Sequence, residues 1–193
     1  MRIVARIAAA TVCLAIAMTV RAETAEMPDP ASFSPGETWE WRQMDSRTGV
    51  EEGKRVRSVV NEDGVLKFSD GSATSPLSVA FVGGAPAKPF RVWPLAVGKK
   101  WQFEENWTRA DGVTGNTKQD VEVVGYEEVT VPAGKFMAFK IEHRGWYRNS
   151  RGRNGKQNDT YWYAPDVKAD VKHMRDDGHT MHTRELISYK PSK

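Results

Sequence analysis

The sequence predicts an all-β fold, an antiparallel meander that forms a curved sheet or a barrel-like domain. Apolar and aromatic residues alternate with period two over many short runs, and Asp-Gly pairs separate those runs. No run combines a helical period with helix caps. The number of runs indicates about eight to ten strands.

Residues 1–22 are predicted to be an export signal. Arg2 and Arg6 precede an apolar run at 7–20, which is shorter than the roughly 20 residues that span a bilayer. The residues up to Ala22 fit the site that a signal peptidase reads. We therefore expect a soluble protein, periplasmic or secreted, with no transmembrane segment after cleavage.

Cleavage would change the charge and the chemistry of the chain. It removes three of the 28 basic residues, none of the 25 acidic ones, and Cys13, the single cysteine. The mature chain is then formally neutral, so the basic pI of the whole sequence does not support nucleic-acid binding. Without a thiol, the mature chain has no disulfide, cysteine nucleophile or thiolate metal site.

A flexible leader at 23–35 is expected to precede a single β-rich domain at 36–193. The strand phases are Trp39 and Trp41; Val56, Ser58 and Val60; Val121 and Val123; Val129 and Val131; Met137, Phe139 and Ile141; Val167, Ala169 and Val171; and Ile187 and Tyr189. Hairpin turns are expected at Asp63-Gly64, Asp70-Gly71, Asp111-Gly112, Asp177-Gly178 and Val131-Pro132-Ala133-Gly134.

Residues 71–89 interrupt this pattern. They are rich in Gly, Ser, Ala and Pro around an apolar island at 77–82. The segment is either a crossover between parts of the sheet or a flexible flap. A weak similarity flanks it, because residues 36–41 and 98–103 both begin with glycine and continue into an aromatic strand. The similarity indicates two related halves, at 36–70 and 90–190, or only a common way of starting a sheet.

Three motifs follow one another in the second half of the chain. They are Trp93–Trp101, Val124–Phe136 and Tyr161–Pro165. The segment from Trp93 to Lys172 resembles a broad family of uncharacterised exported bacterial domains, in which PL-x-VG-x-x-W, E-x-V-x-VPAG-x-F and WYAP segments recur in this order. The resemblance implies a β-rich, curved or barrel-like fold in the bacterial envelope and assigns no catalytic residue. Some relatives carry a lipid-anchor cysteine, which has no counterpart here, so the resemblance implies a soluble member.

Two histidines continue the apolar phases of their strands. His143 follows the phase of Ile141, and His173 follows that of Val171, so both are expected to point toward the same interior. They are either hydrogen-bonded core histidines or a metal-binding or acid–base pair. The sequence shows no nucleophile elbow and no phosphate-binding glycine loop, and it predicts no cofactor.

The segment 144–158 contains five basic residues and no acid, and it is predicted to form a long hairpin tip. Guanidinium groups beside aromatic rings suit phosphate, carboxylate or sugar-acid groups. The candidate ligand-binding residues are Trp146, Tyr147, Arg148, Arg151 and Arg153. Their partner would be an anionic envelope polymer or a lipid headgroup. Alternatively, the charges only keep a sheet edge soluble.

These observations favour an exported binding or structural module of the cell envelope without catalysis. Two other hypotheses stay open at this point. One is a carrier that holds an apolar or lipid ligand inside a curved sheet. The other is a metal-dependent enzyme that uses His143 and His173. The sequence assigns neither the ligand nor the oligomeric state.

Overall fold

A ten-stranded antiparallel sheet dominates the structure, a computed structural model that describes residues 24–77 and 87–192. Its strands are β2 (Thr38–Asp45), β3 (Glu51–Glu62), β4 (Val65–Ser69), β5 (Thr74–Pro76), β7 (Lys100–Thr108), β8 (Thr114–Val131), β9 (Gly134–Asn149), β10 (Asn154–Ala164), β11 (Ala169–Asp176) and β12 (Met181–Lys190). Two further strands, β1 (Thr24–Ala25) and β6 (Leu95–Ala96), pair with each other. The predicted signal at 1–22 lies outside the described residues.

The strand order across the sheet is β5-β4-β3-β2-β12-β11-β10-β9-β8-β7. The chain runs outward from β2 to β5 and returns from the opposite edge, β7, to β12, which pairs with β2. The sheet is open, with β5 and β7 at its two edges. The sheet is strongly curled. This curvature brings the β8–β9 turn against β12, where the amide of Ala133 donates to the carbonyl of Leu186 at 3.0 Å. The predicted all-β fold with a curved antiparallel meander is confirmed.

Helical structure in the described residues is confined to two short 3₁₀ turns, Pro30–Ser32 and Pro165–Val167. Neither is long or apolar enough to cross a bilayer.

The tight turns follow the sequence closely. Asp63 and Gly64 have φ of 54° and 81°, and they join the paired residues Glu62 and Val65 in a two-residue hairpin. Positive φ at both turn positions is the reason that Asp-Gly is favoured there. The β8–β9 hairpin likewise closes at Val131–Gly134, as predicted.

Two hairpins of the sheet begin with the same backbone geometry. Gly36 and Gly98 both have positive φ, 91° and 86°. The amide of Gly36 donates to the carbonyl of Val59 at 2.8 Å, and the amide of Val59 donates back to the residue after the glycine. Gly98 and Val123 repeat this pair of bonds at 2.8 and 3.0 Å. The sequence similarity therefore corresponds to a shared local geometry, whereas the division of the chain into two halves stays a prediction.

The described part of the predicted leader is anchored at two points. Ala25 is buried in β1, and the ring of Phe33 packs 5.5 Å from that of Phe68. The segment 71–89 leads from β5 at one edge of the sheet toward β7 at the other, as the crossover interpretation requires. Its residues 78–86 lie outside the described part of the chain.

Two clusters of apolar side chains form the core on the concave side of the sheet. The first surrounds Trp39 and Trp41, and the second surrounds Phe139 and Ile141. The indole of Trp39 also donates to the carbonyl of Val167 at 2.7 Å. Within each cluster the apolar side chains pack against one another.

The predicted buried phase of β3 is wrong. Val56 is 43% exposed, whereas Val59, in the opposite phase, is only 1% exposed. The register explains the difference, because Arg55 pairs with Trp41 and Arg57 with Trp39. Two arginines thus occupy the inward-facing positions that an apolar pattern would have marked.

The predicted hairpin tip at 144–158 is mostly strand. β9 continues to Asn149 and β10 begins at Asn154, so the turn itself is residues 150–153. The segment is the tip of the β9–β10 hairpin, as predicted, but its strands reach farther than the sequence indicated, because the many polar and charged residues hide the period-two alternation. The pairing gives each side chain a defined face.

Candidate functional site

A row of polar side chains crosses the concave face in register. His143 of β9 lies opposite Asp159 of β10, and Asp159 lies opposite Arg175 of β11. Strand pairing keeps directly opposite residues on one face of a sheet. The centre of this row is a buried carboxylate, Asp159, which the sequence patterns did not single out.

Asp159 is the centre of a fully hydrogen-bonded network. Its Oδ1 accepts from His173 Nε2 at 2.8 Å and from Arg175 Nε at 2.7 Å. Its Oδ2 accepts from Gln119 Nε2 at 3.0 Å and from Gln157 Nε2 at 3.1 Å. Four donors satisfy a carboxylate that is almost inaccessible to water, as a buried charge requires.

This network fixes the charge states of its members. Burial by itself would raise the pKa of Asp159, but the bond from His173 and the charge of Arg175 outweigh it and hold the pKa well below its usual range. Burial lowers the pKa of His173, although the bond to Asp159 opposes this shift. Arg175 already balances the charge of Asp159. The lowered pKa of His173 therefore leaves its ring neutral at neutral pH.

His143 is enclosed by aromatic rings. The ring centroids of Phe90, Phe103 and Tyr161 lie 5.1, 5.8 and 5.0 Å from that of His143. Burial lowers the pKa of His143 to about 3, and the charge of Asp159 opposes only part of this shift. The imidazole is therefore neutral at physiological pH.

The network also selects the tautomer of His143. Nδ1 of His143 lies 3.3 Å from Oε1 of Gln119. Since the Gln119 amide nitrogen donates to Asp159, this oxygen accepts, and His143 Nδ1 carries the proton. Nε2 of His143 is buried and has no hydrogen-bond partner in the part of the chain that the structure describes. We assign His143 to the aromatic core of the concave face.

The geometry gives the metal-enzyme hypothesis little support. The two histidines do share one interior, but His173 Nε2 is engaged with Asp159, and the guanidinium of Arg175 beside that carboxylate opposes a second cation. Within the described residues, no group of three or more His, Cys, Asp or Glu side chains could hold a metal ion.

A pocket of about 710 Å³ opens beside this network, toward the tip of the β9–β10 hairpin. We call it the tip pocket. It is lined by Glu105, Trp107, Arg109, Val113, Thr117, Tyr147, Asn149, Arg151, Arg153, Gln157, Arg175 and Asp177. Four arginines and two large aromatic rings thus face a common space.

Two glycines determine where the aromatic rings of the tip pocket lie. A Cβ at Gly115 would stand 2.2 Å from the indole of Trp107, so the ring lies flat against bare backbone. The indole nitrogen of Trp107 also donates to Thr117 Oγ1 at 3.0 Å. In the same way, the ring of Tyr147 covers Gly155, with 3.0 Å to the position of a Cβ. Both rings are positioned by their strands before any ligand arrives.

The arginines of the tip pocket differ in their partners. Asp111 lies 3.2 Å from Arg109 and 3.5 Å from Arg151, and Arg175 is bound to Asp159. Arg153 forms no ion pair with any described residue. Its guanidinium is therefore the one most available to an incoming anion.

The structure separates the five sequence-predicted residues into two groups. Tyr147, Arg151 and Arg153 line the tip pocket. Trp146 and Arg148 belong to the opposite face of β9, where Trp146 is 56% exposed and Lys156 lies 5.9 Å from its ring. Successive side chains of a strand point to opposite faces, and this alternation could be applied only once 144–149 was known to be strand.

The sequence interpretation missed the other half of the tip pocket. Trp107 continues the phase of Trp101 and Phe103 in β7, and this alternation was a usable signal. Arg109 and Arg175 stand beside Asp-Gly turns, where a charged residue is unremarkable in a sequence. Only the sheet order brings β7, β9, β10 and β11 together.

Comparison with known proteins supports the fold. No protein-family model and no curated protein matches the chain. A candidate lipoprotein from Parabacteroides distasonis matches with a TM-score of 0.53 and 13% identity, over 81% of this chain and 96% of that one. This similarity shows a shared fold.

Two further solved structures match less closely. A candidate exported protein with a YmcC-like fold from Bacteroides fragilis has a TM-score of 0.47 and 15% identity, over 82% of this chain and 97% of its own. The hypothetical lipoprotein YmcC from Escherichia coli has a TM-score of 0.44 and 10% identity, over 82% and 87%. The motif-based family resemblance stays a prediction.

Proposed function

We propose that this chain is an exported, non-catalytic binding module of the bacterial cell envelope, and that its tip pocket binds an anionic segment of an envelope polymer. One observation carries the proposal. Tyr147, Arg151 and Arg153, which the sequence marks as ligand-binding residues, line a preformed pocket together with Trp107, Arg109 and Arg175.

The chemistry of the tip pocket favours a hydroxyl-rich acid. Arginine forks bind carboxylate or phosphate oxygens through paired hydrogen bonds. Glu105 and Asp177 line the same pocket and can accept hydrogen bonds from hydroxyl groups. The faces of Trp107 and Tyr147 offer apolar surface to a ring. A sugar acid carries all three kinds of group.

The shape of the site favours a projecting chain over a membrane surface. The tip pocket is a recess lined by side chains from several strands, and a flat bilayer cannot enter it, whereas a polymer segment can. The lipid-carrier hypothesis gains no support from the described residues, because the apolar rings of the concave side pack against one another.

Two further observations support an envelope location. The predicted signal at 1–22 directs export. The Parabacteroides distasonis protein that shares the fold is a candidate lipoprotein, and lipoproteins belong to the cell envelope. The resemblance of segment 93–172 to exported bacterial domains agrees with both.

The test is retention on an immobilised sugar-acid polymer, polygalacturonate. Wild-type protein should be retained, and the double variant R151E/R153E should lose about tenfold or more in affinity, since each charged hydrogen bond contributes about 1.5–3 kcal/mol. R148E is the matched control, because Arg148 lies on the opposite face of the same hairpin and should leave retention intact.

Three results would contradict the proposal. They are equal loss in R148E, unchanged retention in R151E/R153E, and no retention of the wild type. Retention on anionic phospholipid vesicles but not on the polymer would instead favour a lipid headgroup as the ligand.

A further inference from the structure

A second cluster of arginines lies on the same concave face as the tip pocket, but on the strands β3 and β12. Arg55 of β3 pairs in register with Trp41 of β2, and Arg57 is the next residue of β3 on the same face. Arg184 of β12 pairs with Gln43, beside Trp41. The sheet therefore brings residues from β2, β3 and β12 to one point.

These residues enclose a small cavity of about 80 Å³, which we call the arginine pocket. It is lined by Trp41, Arg55, Arg57, Tyr161, Asp170, His173 and Arg184. A cavity of this size holds more than a single water, so it has room for a compact group of a few heavy atoms. That is the size of a phosphate or sulfate group.

The positive charge of the arginine pocket is not balanced. Among the described residues, no carboxylate forms an ion pair with Arg55, Arg57 or Arg184. Asp170 is the single acid of the lining, and its Oδ1 already binds the buried Arg91 at 2.5 Å. Three guanidinium groups therefore share one carboxylate that has its own partner.

Burial makes this imbalance costly. The guanidinium of Arg57 stacks between the rings of Trp41 and Phe68, at 5.7 and 4.9 Å. Burial lowers the pKa of Arg57; Asp170 opposes the shift, and Arg55 and Arg184 add to it. A bound anion would relieve the repulsion among these cations.

The arginine pocket borders the Asp159 network through His173. The Nε2 atom of His173 is bonded to Asp159, and the buried Nδ1 of the same ring has no hydrogen-bond partner among the described residues. Because His173 also lines the arginine pocket, its ring links that pocket to the Asp159 network.

We propose that the arginine pocket binds a compact tetrahedral oxyanion, a phosphate or sulfate group, held by Arg55, Arg57 and Arg184 against Trp41. A neighbouring pocket of about 230 Å³ shares Trp41, Arg55 and Arg184 with it and is also lined by Gln43 and Lys54. A larger molecule that carries the oxyanion could extend into this second space.

This site is distinct from the tip pocket. Asp159 lies between them, with Arg175 facing the tip pocket and His173 facing the arginine pocket. Binding in one pocket can therefore be tested without removing a residue of the other.

The experiment is isothermal titration calorimetry of inorganic phosphate against the exported chain at low ionic strength. We expect one phosphate to bind, with about a tenfold or greater loss of affinity in Arg55→Gln, since a charged hydrogen bond is worth about 1.5–3 kcal/mol. The double variant R55Q/R184Q should show no measurable binding. Arg55 is exposed and forms no ion pair with a described residue, so its replacement should leave the fold intact, which far-UV circular dichroism would verify.

Two control variants make the result specific. Arg148→Gln removes an exposed arginine from the opposite face, and Arg153→Gln removes one from the tip pocket. Both should bind phosphate like the wild type. No phosphate binding by the wild type, unchanged binding in R55Q/R184Q, or a loss confined to Arg153→Gln would each overturn the proposal.

A second probe, glycerol phosphate, separates the two sources of the anion. If it binds at least as tightly as inorganic phosphate and depends on Arg55 in the same way, the site takes a phosphate group carried on a larger molecule. If inorganic phosphate binds and the ester does not, the site takes the free anion.

Discussion

Acidification should destabilise this protein through His143 well before its carboxylates titrate. The pKa of His143 is lowered from 6.5 to about 3, chiefly by burial. The attraction of Asp159 opposes this shift, and the positive charges of Arg91 and Arg175 and the nearby ring of His173 add to it. The folded protein therefore keeps this imidazole neutral at pH values where the unfolded chain binds a proton.

The magnitude follows from the difference in pKa between the two states. Between pH 6.5 and 5.0 the unfolded chain gains a proton at His143 that the folded chain does not, and each pH unit costs about 1.4 kcal/mol. The free energy of unfolding should thus fall by about 2 kcal/mol by pH 5.0. The loss should continue toward pH 3, and it adds to the loss from His173, whose pKa is lowered too.

The assay is urea unfolding at closely spaced pH values, followed by tryptophan fluorescence. His143→Phe fits the aromatic surroundings and removes the titrating group, so its unfolding free energy should fall about 2 kcal/mol less between pH 7.5 and 5.0 than that of the wild type. His179→Ala removes a histidine from an exposed turn and should keep the wild-type pH dependence. A wild-type stability that is flat over this range, or an equally steep slope in His143→Phe, would refute the reasoning.

Two further predictions concern the network and the aromatic rings. Asp159→Asn leaves Arg175 without its counter-charge. We expect the free energy of unfolding, measured by urea titration, to fall by about 3–5 kcal/mol. A loss below about 1 kcal/mol would contradict the central role of this carboxylate. Gly115→Ala places a methyl group 2.2 Å from the Trp107 indole and should weaken polygalacturonate binding by up to about tenfold. The control is Gly53→Ala, whose added methyl group meets no described atom within 4 Å and should leave binding unchanged. Equal binding by both variants would contradict the role of the Trp107 ring.

The local parts of the fold could be predicted from the sequence. Asp63-Gly64 and Val131–Gly134 form turns where their residue types require them. Phe139 and Ile141 face the core in the predicted phase, whereas Met137 of the same phase is 40% exposed. Each of these features depends on neighbours within a few residues. The β3 strand shows the limit, because Arg55 and Arg57 occupy inward positions and the apolar pattern pointed to Val56 instead.

The candidate sites depend on contacts that no local pattern records. Asp159 and Gln119 are 40 residues apart, and they meet only because β8, β9 and β10 are neighbours in the sheet. Strand β2 pairs with both β3 and β12, and this brings Arg55 and Arg184, which are far apart in the sequence, to one pocket. The basic residues at 144–158 were visible in the sequence, but their division between two faces required the strand register.

The most direct test of the central claim uses NMR. The indole N–H signals of nitrogen-labelled protein lacking residues 1–22 are followed during titration with trigalacturonate. Trp107 lies in the tip pocket, and Trp146 lies on the opposite face of the neighbouring hairpin. Binding in the tip pocket should shift the Nε1–H signal of Trp107 and leave that of Trp146 in place, and R151E/R153E should abolish the shift. A shift of Trp146 alone, or no shift of Trp107 at saturating ligand, would contradict the assignment of the tip pocket as the binding site.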